Sequence, residues 1–161
     1  MQIRPVNEAD AEAIWRIFRE VVEEGDALLS DESTEREEVL AMWLGPSITT
    51  FVACVDDGTI AGAYCMKRNH HGRGSHVANA TYMVRREYRG RRIGRLLGEH
   101  SLKMAKESGY LAMQFNCVVS TNEASVALWK KLGFSIVGTL PQAFRHSRLG
   151  LVDAYVMHKF L

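Results

Sequence analysis

A short basic loop between a strand-like run and an amphipathic helix is the feature that most constrains this chain. Apolar residues alternate over Ala78–Val84, the loop occupies 85–93, and a helical pattern follows over 94–108. Backbone N–H groups at a helix start lack partners, and the helix dipole adds partial positive charge there. The loop contributes four arginines whose charges suit phosphate: Arg89, Arg91, Arg92 and Arg95. The pattern predicts a strand–loop–helix unit that holds an anionic group.

The rest of the chain alternates between helix-like and strand-like patterns. Apolar residues at helical spacing, Asn7 as an N-cap and glycine or proline at the ends predict four helices. We expect these helices at 8–24, from Ser33 or Thr34 to Leu44, at 94–108 and at 124–132. Apolar runs predict strands at 1–6, 49–55, 59–66, 76–84, 112–119, 135–140 and 151–160, with loops at 67–75 and 141–149. The order βααβββαβαββ predicts an α/β (α+β) fold, in which four helices flank a mixed central sheet of about seven strands.

Length and composition favour a single domain over residues 1–161. Hydrophobic residues make up 47% and charged residues 24%, as in ordinary soluble proteins, and the net charge is only +1. A nucleic-acid partner would require a larger or more clustered excess of positive charge, and the one basic cluster is the short segment 85–95, so we expect no nucleic-acid partner. No apolar run approaches the roughly 18 residues that cross a bilayer, and the N-terminus lacks a signal-peptide pattern. Three cysteines without a CxxC spacing indicate reduced thiols, so we expect a cytoplasmic protein with no membrane partner.

Two motifs together resemble the GNAT superfamily of acyl-CoA-dependent N-acetyltransferases. The segment Arg89–Gly94, Arg-Gly-Arg-Arg-Ile-Gly, resembles the family's Arg/Gln-x-x-Gly-x-Gly/Ala cofactor loop, with Arg92 where the first motif glycine usually stands. The segment Asn122–Phe134 resembles the family's Asn-x-x-Ala…Leu-Tyr-x-Lys-x-Gly-Phe motif. The resemblance covers nearly the whole chain and implies the GNAT fold, with acetyl-CoA as the acetyl donor. A non-glycine residue at position 92 must still let the backbone approach a phosphate, which restricts its dihedral angles.

The resemblance also implies which residues hold acetyl-CoA. The strand before the loop splays from its neighbour in this family, so freed backbone groups near Met83 and Val84 would bind the pantetheine arm. Asn122 would reach the same arm from the next strand-to-helix turn. An acceptor amine would attack the thioester directly in a ternary complex, with catalysis resting on positioning and charge stabilisation. The pyrophosphate would be held by Arg89, Gly90, Arg91, Arg92, Ile93, Gly94 and Arg95.

Trp129 marks a departure from the second motif. Many family members carry at this position a Tyr that can protonate the leaving thiolate, whereas an indole N–H is not a useful proton donor at neutral pH. Either another group supplies the proton, or the thiolate of CoA, which is a good leaving group, departs unaided.

A narrower resemblance points to the acceptor. The Phe-Asn-x-Val…Thr-Asn pattern that ends at Asn122, with Asn79 on the preceding strand, resembles proline-analogue acetyltransferases that act on azetidine-2-carboxylate. It implies that Asn79 and Asn116 line the acceptor site, where their amides would orient an amine, a carboxylate or the thioester carbonyl. From the residues alone, a structural hydrogen-bonding role is the favoured interpretation of a mid-strand amide. Phe144 is a further candidate for the acceptor pocket, with core packing as its alternative.

Other polar residues have ordinary surface interpretations. His70 and His71 are adjacent on a loop without a nearby carboxylate or cysteine, which is poor spacing for a metal, so we expect no metal site. His146 could accept a proton, because imidazole titrates near neutral pH and the loop that carries it often borders the acceptor pocket in GNAT proteins. The acidic stretch over 23–38 is either a solvated face or an attractant for a cationic acceptor.

Three classes of function stay open for the chain. A small-molecule amine, such as an amino acid or its analogue, is the first expectation for the acceptor, and a protein N-terminus or lysine is the alternative. A non-catalytic acyl-CoA sensor is also consistent with Trp129 in place of Tyr. A nucleic-acid binder would need basic surface beyond the arginine loop, which the chain lacks. Homodimers are frequent in the family, so the resemblance implies a possible homodimer.

Overall fold

The computed structural model describes residues 1–161 and places seven strands in a single sheet. The strands are β1 (Gln2–Pro5), β2 (Thr49–Cys54), β3 (Ile60–Arg68), β4 (Val77–Val84), β5 (Ala112–Val119), β6 (Ser135–His146) and β7 (Gly150–Phe160). Their order is β1-β2-β3-β4-β5-β7-β6, and every neighbouring pair is antiparallel except the parallel pair β4–β5. The predicted mixed sheet with four flanking helices is confirmed.

Helices cover both faces of the sheet. They are α1 (Ala11–Glu24), α2 (Arg36–Leu44), α3 (Ile93–Glu107) and α4 (Glu123–Lys131). Because side chains alternate between faces along a strand, each face has its own apolar core. α1 and α2 pack over Ala63 and Met83, whereas α3 and α4 pack over Ala80 and Phe115. We call these the α1/α2 face and the α3/α4 face. None of the four helices has the length and apolarity needed to span a bilayer.

Side chains at its start fix the position of α1. Asn7 accepts a hydrogen bond from the Ala9 N–H (3.0 Å), and Asp10 accepts one from the Asn7 N–H (2.8 Å), which is a reciprocal capping arrangement. Arg4 of β1 donates two hydrogen bonds to the Asp10 carboxylate, at 2.7 and 2.8 Å. These bonds hold the pKa of Asp10 below its ordinary value, although burial acts in the opposite direction. The first helix is therefore anchored to the first strand.

The parallel strands β4 and β5 separate soon after they begin. Val77 and Ala78 pair with Ala112 and Met113, and no further pair forms although both strands run on. Between Phe115 and Val118 a bulge places an extra residue in β5 opposite β7. Because a bulge bends and twists the strand that carries it, β5 stays paired with β7 while it diverges from β4.

β6 is longer than the sequence predicted. The prediction of a strand over 135–140 and a loop over 141–149 is wrong at this point, since β6 continues to His146 and pairs there with β7. An irregularity between Leu140 and Phe144 accommodates Pro141. Proline cannot donate a ladder hydrogen bond, but an edge strand such as β6 tolerates it.

Candidate functional site

The separation of β4 from β5 opens a cleft of about 440 Å³ in the sheet. Its walls come from β3, β4 and β5, from the connection between α1 and α2, and from the start of α4. Apolar side chains, among them Trp43 and Trp129, line much of the wall. A concave, partly apolar cleft with a few convergent polar groups is the usual form of a small-ligand site. The polar lining residues are Ser30, Cys65, Lys67, Asn69, Asn79, Thr81, Tyr82, Asn116, Cys117, Asn122 and Ser125.

The cleft reaches both faces of the sheet. Along β4, Asn79 lies on the same side as Met83, toward the α1/α2 face, whereas Ala80 and Tyr82 lie toward the α3/α4 face. Tyr82 packs against Trp129 of α4 with ring centroids 4.6 Å apart. Asn79 and Thr81 on the one side and Ala80 and Tyr82 on the other line the same cleft. One ligand can therefore enter from the α3/α4 face and meet a second ligand that enters from the α1/α2 face.

Six successive backbone N–H groups have no protein acceptor where the basic loop enters α3. They belong to residues 90–95, and the first hydrogen bond of the helix is donated by Leu96 to the Arg92 carbonyl (3.1 Å). Gly90 and Arg92 both adopt the left-handed conformation, with φ of 76° and 63°. Successive N–H groups in such turns form a nest that binds anions, here at the positive end of a helix. The loop therefore has the form that a pyrophosphate requires.

Glu24 ties this loop to the end of α1. Its side chain is only 11% exposed, accepts a hydrogen bond from Arg86 Nε (2.7 Å) and lies 2.6 Å from Arg89 Nη2. Burial acts to raise the pKa of Glu24, but the Arg89 and Arg86 guanidinium groups beside the carboxylate outweigh it and hold that pKa below its ordinary value. The basic loop is thereby connected to the segment that walls the α1/α2 side of the cleft.

The other loop arginines differ in how free their charges are. Arg95 pairs with Glu99 one helical turn later, at 2.7 Å. Arg91 lies over the Tyr88 ring, 5.1 Å from its centroid, and neither Arg91 nor Arg92 has a carboxylate partner. These two arginines offer a phosphate unpaired charge, whereas the Arg95 guanidinium already has an internal partner.

The prediction that the Met83 backbone binds a ligand is corrected by the register of β3 and β4. The Arg85 N–H donates to the Ala61 carbonyl (2.9 Å), and in an antiparallel pair the hydrogen-bonded positions alternate, so the backbone groups of Met83 bond to β3. Its side chain is buried as well, at 1% exposure. The backbone groups that face the separation from β5 belong instead to Tyr82 and Val84.

Amide side chains connect the strands at the α1/α2 side of the cleft. Asn79 donates to the Gln114 carbonyl (3.0 Å) and so bridges β4 and β5 just beyond their last paired residues. Gln114 Nε2 donates to Asn116 Oδ1 (2.8 Å), and Asn116 Nδ2 donates to Asn69 Oδ1 (2.7 Å). The structure thus brings Asn79 and Asn116 into one cleft, as lining residues with hydrogen-bonding capacity to spare.

Sequence reasoning missed Lys67 and Asn69, because it ended β3 at Met66 and assigned 67–75 to a loop. The strand in fact runs to Arg68. The available signal was the two-residue alternation of β3, which places Lys67 on the same face as the cleft residue Cys65.

Asn122 and Trp129 lie at the α4 side of the cleft. Asn122 is the N-cap of α4, since its Oδ1 accepts a hydrogen bond from the Ser125 N–H (3.1 Å), and its side-chain NH₂ has no protein acceptor. Trp129 is 7% exposed and packs on Tyr82 and Phe115, and its indole N–H likewise makes no hydrogen bond within the protein. Both side chains line the cleft with a donor unused.

The assignment of Phe144 to the acceptor pocket is corrected, because this residue does not line the cleft. It is 5% exposed and packs edge-on against His146, with ring centroids 6.5 Å apart. The physical reason is the extension of β6, which incorporates both residues into the sheet. His146 Nδ1 accepts a hydrogen bond from the Arg148 N–H (3.0 Å), so this nitrogen is already occupied. No carboxylate of the acidic stretch over 23–38 lines the cleft either.

Few titratable groups line the cleft. Burial raises the pKa of Cys65 to about 11, and burial also raises the pKa values of Tyr82 and Cys117 above their ordinary values. The remaining titratable group is Lys67, and no Asp, Glu or His is among the lining residues. At neutral pH the cleft therefore offers hydrogen-bond donors and one ammonium group, but no general base.

Comparison with known families and structures identifies relatives of the whole fold. Residues 12–134 match the acetyltransferase (GNAT) family. A solved GCN5-related N-acetyltransferase from Kribbella flavida is 41% identical, with a TM-score of 0.95 and coverage of 99% of this chain and 97% of that one.

Two curated relatives align over different lengths. The N-acetyltransferase aca1 of Schizosaccharomyces pombe is 36% identical over 99 residues, which cover 61% of this chain and 47% of the relative, so the chain spans about half of that protein. The L-amino acid N-acyltransferase MnaT of Escherichia coli is 25% identical over 146 residues, which cover 88% of this chain and 84% of the relative.

Proposed function

The chain belongs to the GNAT acetyltransferase family, and we propose that it moves an acetyl group to the amine of a free amino acid or a close analogue. The acetyl donor of the family is acetyl-CoA, which supplies an activated thioester.

The observation that carries the proposal is the cleft between β4 and β5, which reaches both faces of the sheet. Its α3/α4 side lies beside the basic loop, where six N–H groups and the unpaired Arg91 and Arg92 fit a pyrophosphate. Its α1/α2 side carries Asn79, Asn116 and a single ammonium group in a volume of about 440 Å³. A cleft of this size, with amides at one end, suits a small acceptor better than a protein surface.

On the donor side, residues of the loop and of β4 bind and orient acetyl-CoA. The N–H groups of 90–95 hold the pyrophosphate. The backbone groups of Tyr82 and Val84 that face away from β3 hold the pantetheine arm as a neighbouring strand would, with Arg89 Nε giving up its bond to the Val84 carbonyl (3.4 Å). The side-chain NH₂ of Asn122 donates to the same arm. These contacts place the thioester at the junction of the two faces, where positioning supplies most of the rate acceleration.

On the acceptor side, the amides orient the amine and polarise the thioester carbonyl. Asn79 Oδ1 makes no hydrogen bond within the protein and accepts one from the amine, whereas the remaining N–H of Asn116 donates toward the acetyl oxygen. Because no Asp, Glu or His lines the cleft, the amine binds as the free base and loses its second proton to water. Trp129 supplies no proton, and the thiolate of CoA, a good leaving group, departs as the anion.

The similarity to an L-amino acid N-acyltransferase supports a free amino acid as acceptor. We include cyclic imino acids such as azetidine-2-carboxylate in that class, because the Asn79 and Asn116 pattern resembles that of enzymes acting on proline analogues.

A panel assay tests the proposal. Release of CoA thiol from acetyl-CoA is measured with free amino acids, azetidine-2-carboxylate, simple amines, and short peptides with the same N-terminal residues. We expect turnover with at least one free amino acid or analogue and little with the matching peptides. Preference for the peptides would favour acetylation of protein N-termini, and the absence of turnover with any acceptor would favour a non-catalytic acyl-CoA sensor.

A further inference from the structure

One charged side chain lines the cleft, and it is Lys67 of β3. No carboxylate in the protein pairs with its ammonium group, although eleven ion pairs form elsewhere in the chain. A cleft that is otherwise built from apolar and neutral polar groups therefore carries a single unbalanced positive charge. Such a charge attracts an anionic group and disfavours a second cation.

The neighbours of Lys67 are the acceptor-side amides. Lys67 lies directly opposite Asn79 in the register of β3 and β4, so the two side chains project from the same face about 5 Å apart at their Cβ atoms. Asn69 follows on the same strand face and accepts a hydrogen bond from Asn116 (2.7 Å) through Oδ1, which leaves both N–H donors of Asn69 free. The ammonium group and these two donors give the wall an excess of hydrogen-bond donors.

We propose that Lys67, assisted by Asn69, forms a subsite for the carboxylate of the acceptor amino acid, an inference that rests on the proposed function above. A carboxylate has two oxygens that only accept hydrogen bonds, which matches an ammonium group beside a free amide NH₂. The α-amine of the same molecule lies within reach of Asn79 Oδ1, since Asn79 is the cross-strand neighbour of Lys67. The subsite thus selects an amine that has a carboxylate nearby and rejects polyamines.

Paired acceptors test this subsite. The kcat/KM is measured for an amino acid that the enzyme accepts and for its α-amide, which keeps the amine and side chain but lacks the negative charge. Lys67→Met removes the ammonium group, and Lys67→Arg restores a cation. Arg68→Met is the matched control, because Arg68 is also an exposed cation, at the next position of β3, and does not line the cleft.

We expect Lys67→Met to lower kcat/KM for the amino acid about tenfold to thirtyfold, mainly through KM. This loss of kcat/KM corresponds to the weakest of the usual free energies of a charge-assisted hydrogen bond, because Lys67 is exposed to solvent. The kcat/KM for the α-amide should change less than about threefold, so that the ratio of the two kcat/KM values shifts in the variant. Because the ratio is compared between variants, the difference in basicity between the two amines cancels. Lys67→Arg should recover part of the loss, and Arg68→Met should leave both acceptors unchanged. Equal losses on acid and amide, or no loss on either, would overturn the subsite.

A binding measurement separates this inference from the proposed function. N-acetylglycine and N-acetylglycinamide are titrated into the protein with CoA present, and the fluorescence of Trp43 and Trp129, which both line the cleft, reports occupancy. Tighter binding of the carboxylate that disappears in Lys67→Met supports the subsite even if no amino acid is turned over, in which case only the proposed function fails. Equal binding of the two compounds overturns the subsite even if turnover is observed.

Discussion

Arg92 offers a direct test of how the cofactor loop is built, because it holds a left-handed backbone without being glycine. Its φ is 63°, at the position immediately before α3. An L-residue in this conformation carries a steric cost of about 1–2 kcal/mol that glycine avoids. The substitutions Arg92→Gly and Arg92→Ala both remove the charge, but only glycine relieves the backbone. Their comparison therefore separates conformational strain from electrostatics.

The expected difference follows from two opposing contributions. Glycine recovers the steric cost in the folded state, but it also increases the entropy of the unfolded chain by about 0.4–1 kcal/mol relative to alanine. The free energy of unfolding of Arg92→Gly should exceed that of Arg92→Ala by about 0.5–1 kcal/mol, or about 1–4 °C in Tm for a chain of this size. Both variants lose one exposed cation, so the Kd for acetyl-CoA should rise by the same factor, about two- to fivefold.

Thermal unfolding and acetyl-CoA titration of the two variants check these values. The matched pair is Arg91→Gly and Arg91→Ala, where φ is not positive and glycine should be the less stable variant. Equal stability of the Arg92 variants, or the same ordering at both positions, would refute the assignment of strain to Arg92. A difference in Kd between Arg92→Gly and Arg92→Ala would show that the backbone, and not only the charge, sets the affinity.

Three further predictions concern stability, the acceptor and the proton. Because its arginine partners lower the pKa of Glu24 in the folded state, Glu24→Gln should lower the free energy of unfolding by about 1 kcal/mol near neutral pH. This difference between the variant and the original protein should vanish as the pH falls from about 4.3, the unfolded pKa, through the lower folded pKa. A difference that stays constant from pH 7 to pH 3 in urea unfolding would contradict the ion pair. Asn116→Ala should lower kcat/KM for the acceptor about tenfold in steady-state assays. The Kd for CoA, which lacks the acetyl oxygen that Asn116 contacts, should stay unchanged, and an equal loss of CoA binding would remove Asn116 from the acceptor site. Without a general base in the cleft, kcat/KM for the acceptor should rise about tenfold per pH unit up to the pKa of its amine, whereas a plateau beginning near pH 6 to 7 would reveal a base on the enzyme.

Features set by local sequence were predictable. The loop before α3 and its glycines lie within about ten residues of one another, so the anion nest could be inferred from the order of strand, glycine, arginine and helix. The N-cap role of Asn7 and the apolar stripe of α1 are equally local. A short-range hydrogen bond determines the N-cap role of Asn7, and helical periodicity determines the apolar stripe of α1.

Features that depend on register or on distant partners were not predictable. The sequence indicates that the end of β4 faces a ligand, but only the pairing of β4 with β3 shows that the backbone groups of Tyr82 and Val84, rather than those of Met83, face away from β3. The contact of Arg86 and Arg89 with Glu24 joins residues more than sixty positions apart. The continuation of β6 past Pro141, which removes Phe144 from the cleft, depends on tertiary pairing with β7 that overrides the local turn signal.

A crystal structure with CoA and an N-acetylated amino acid tests the central claim most directly. We expect the pyrophosphate on the N–H groups of residues 90–95 and the pantetheine arm along Tyr82 and Val84. We expect the acetylated amine between β4 and β5, beside Asn79, with the carboxylate on the α1/α2 side. A pyrophosphate bound away from the basic loop, or an acceptor bound outside the cleft between β4 and β5, would contradict it.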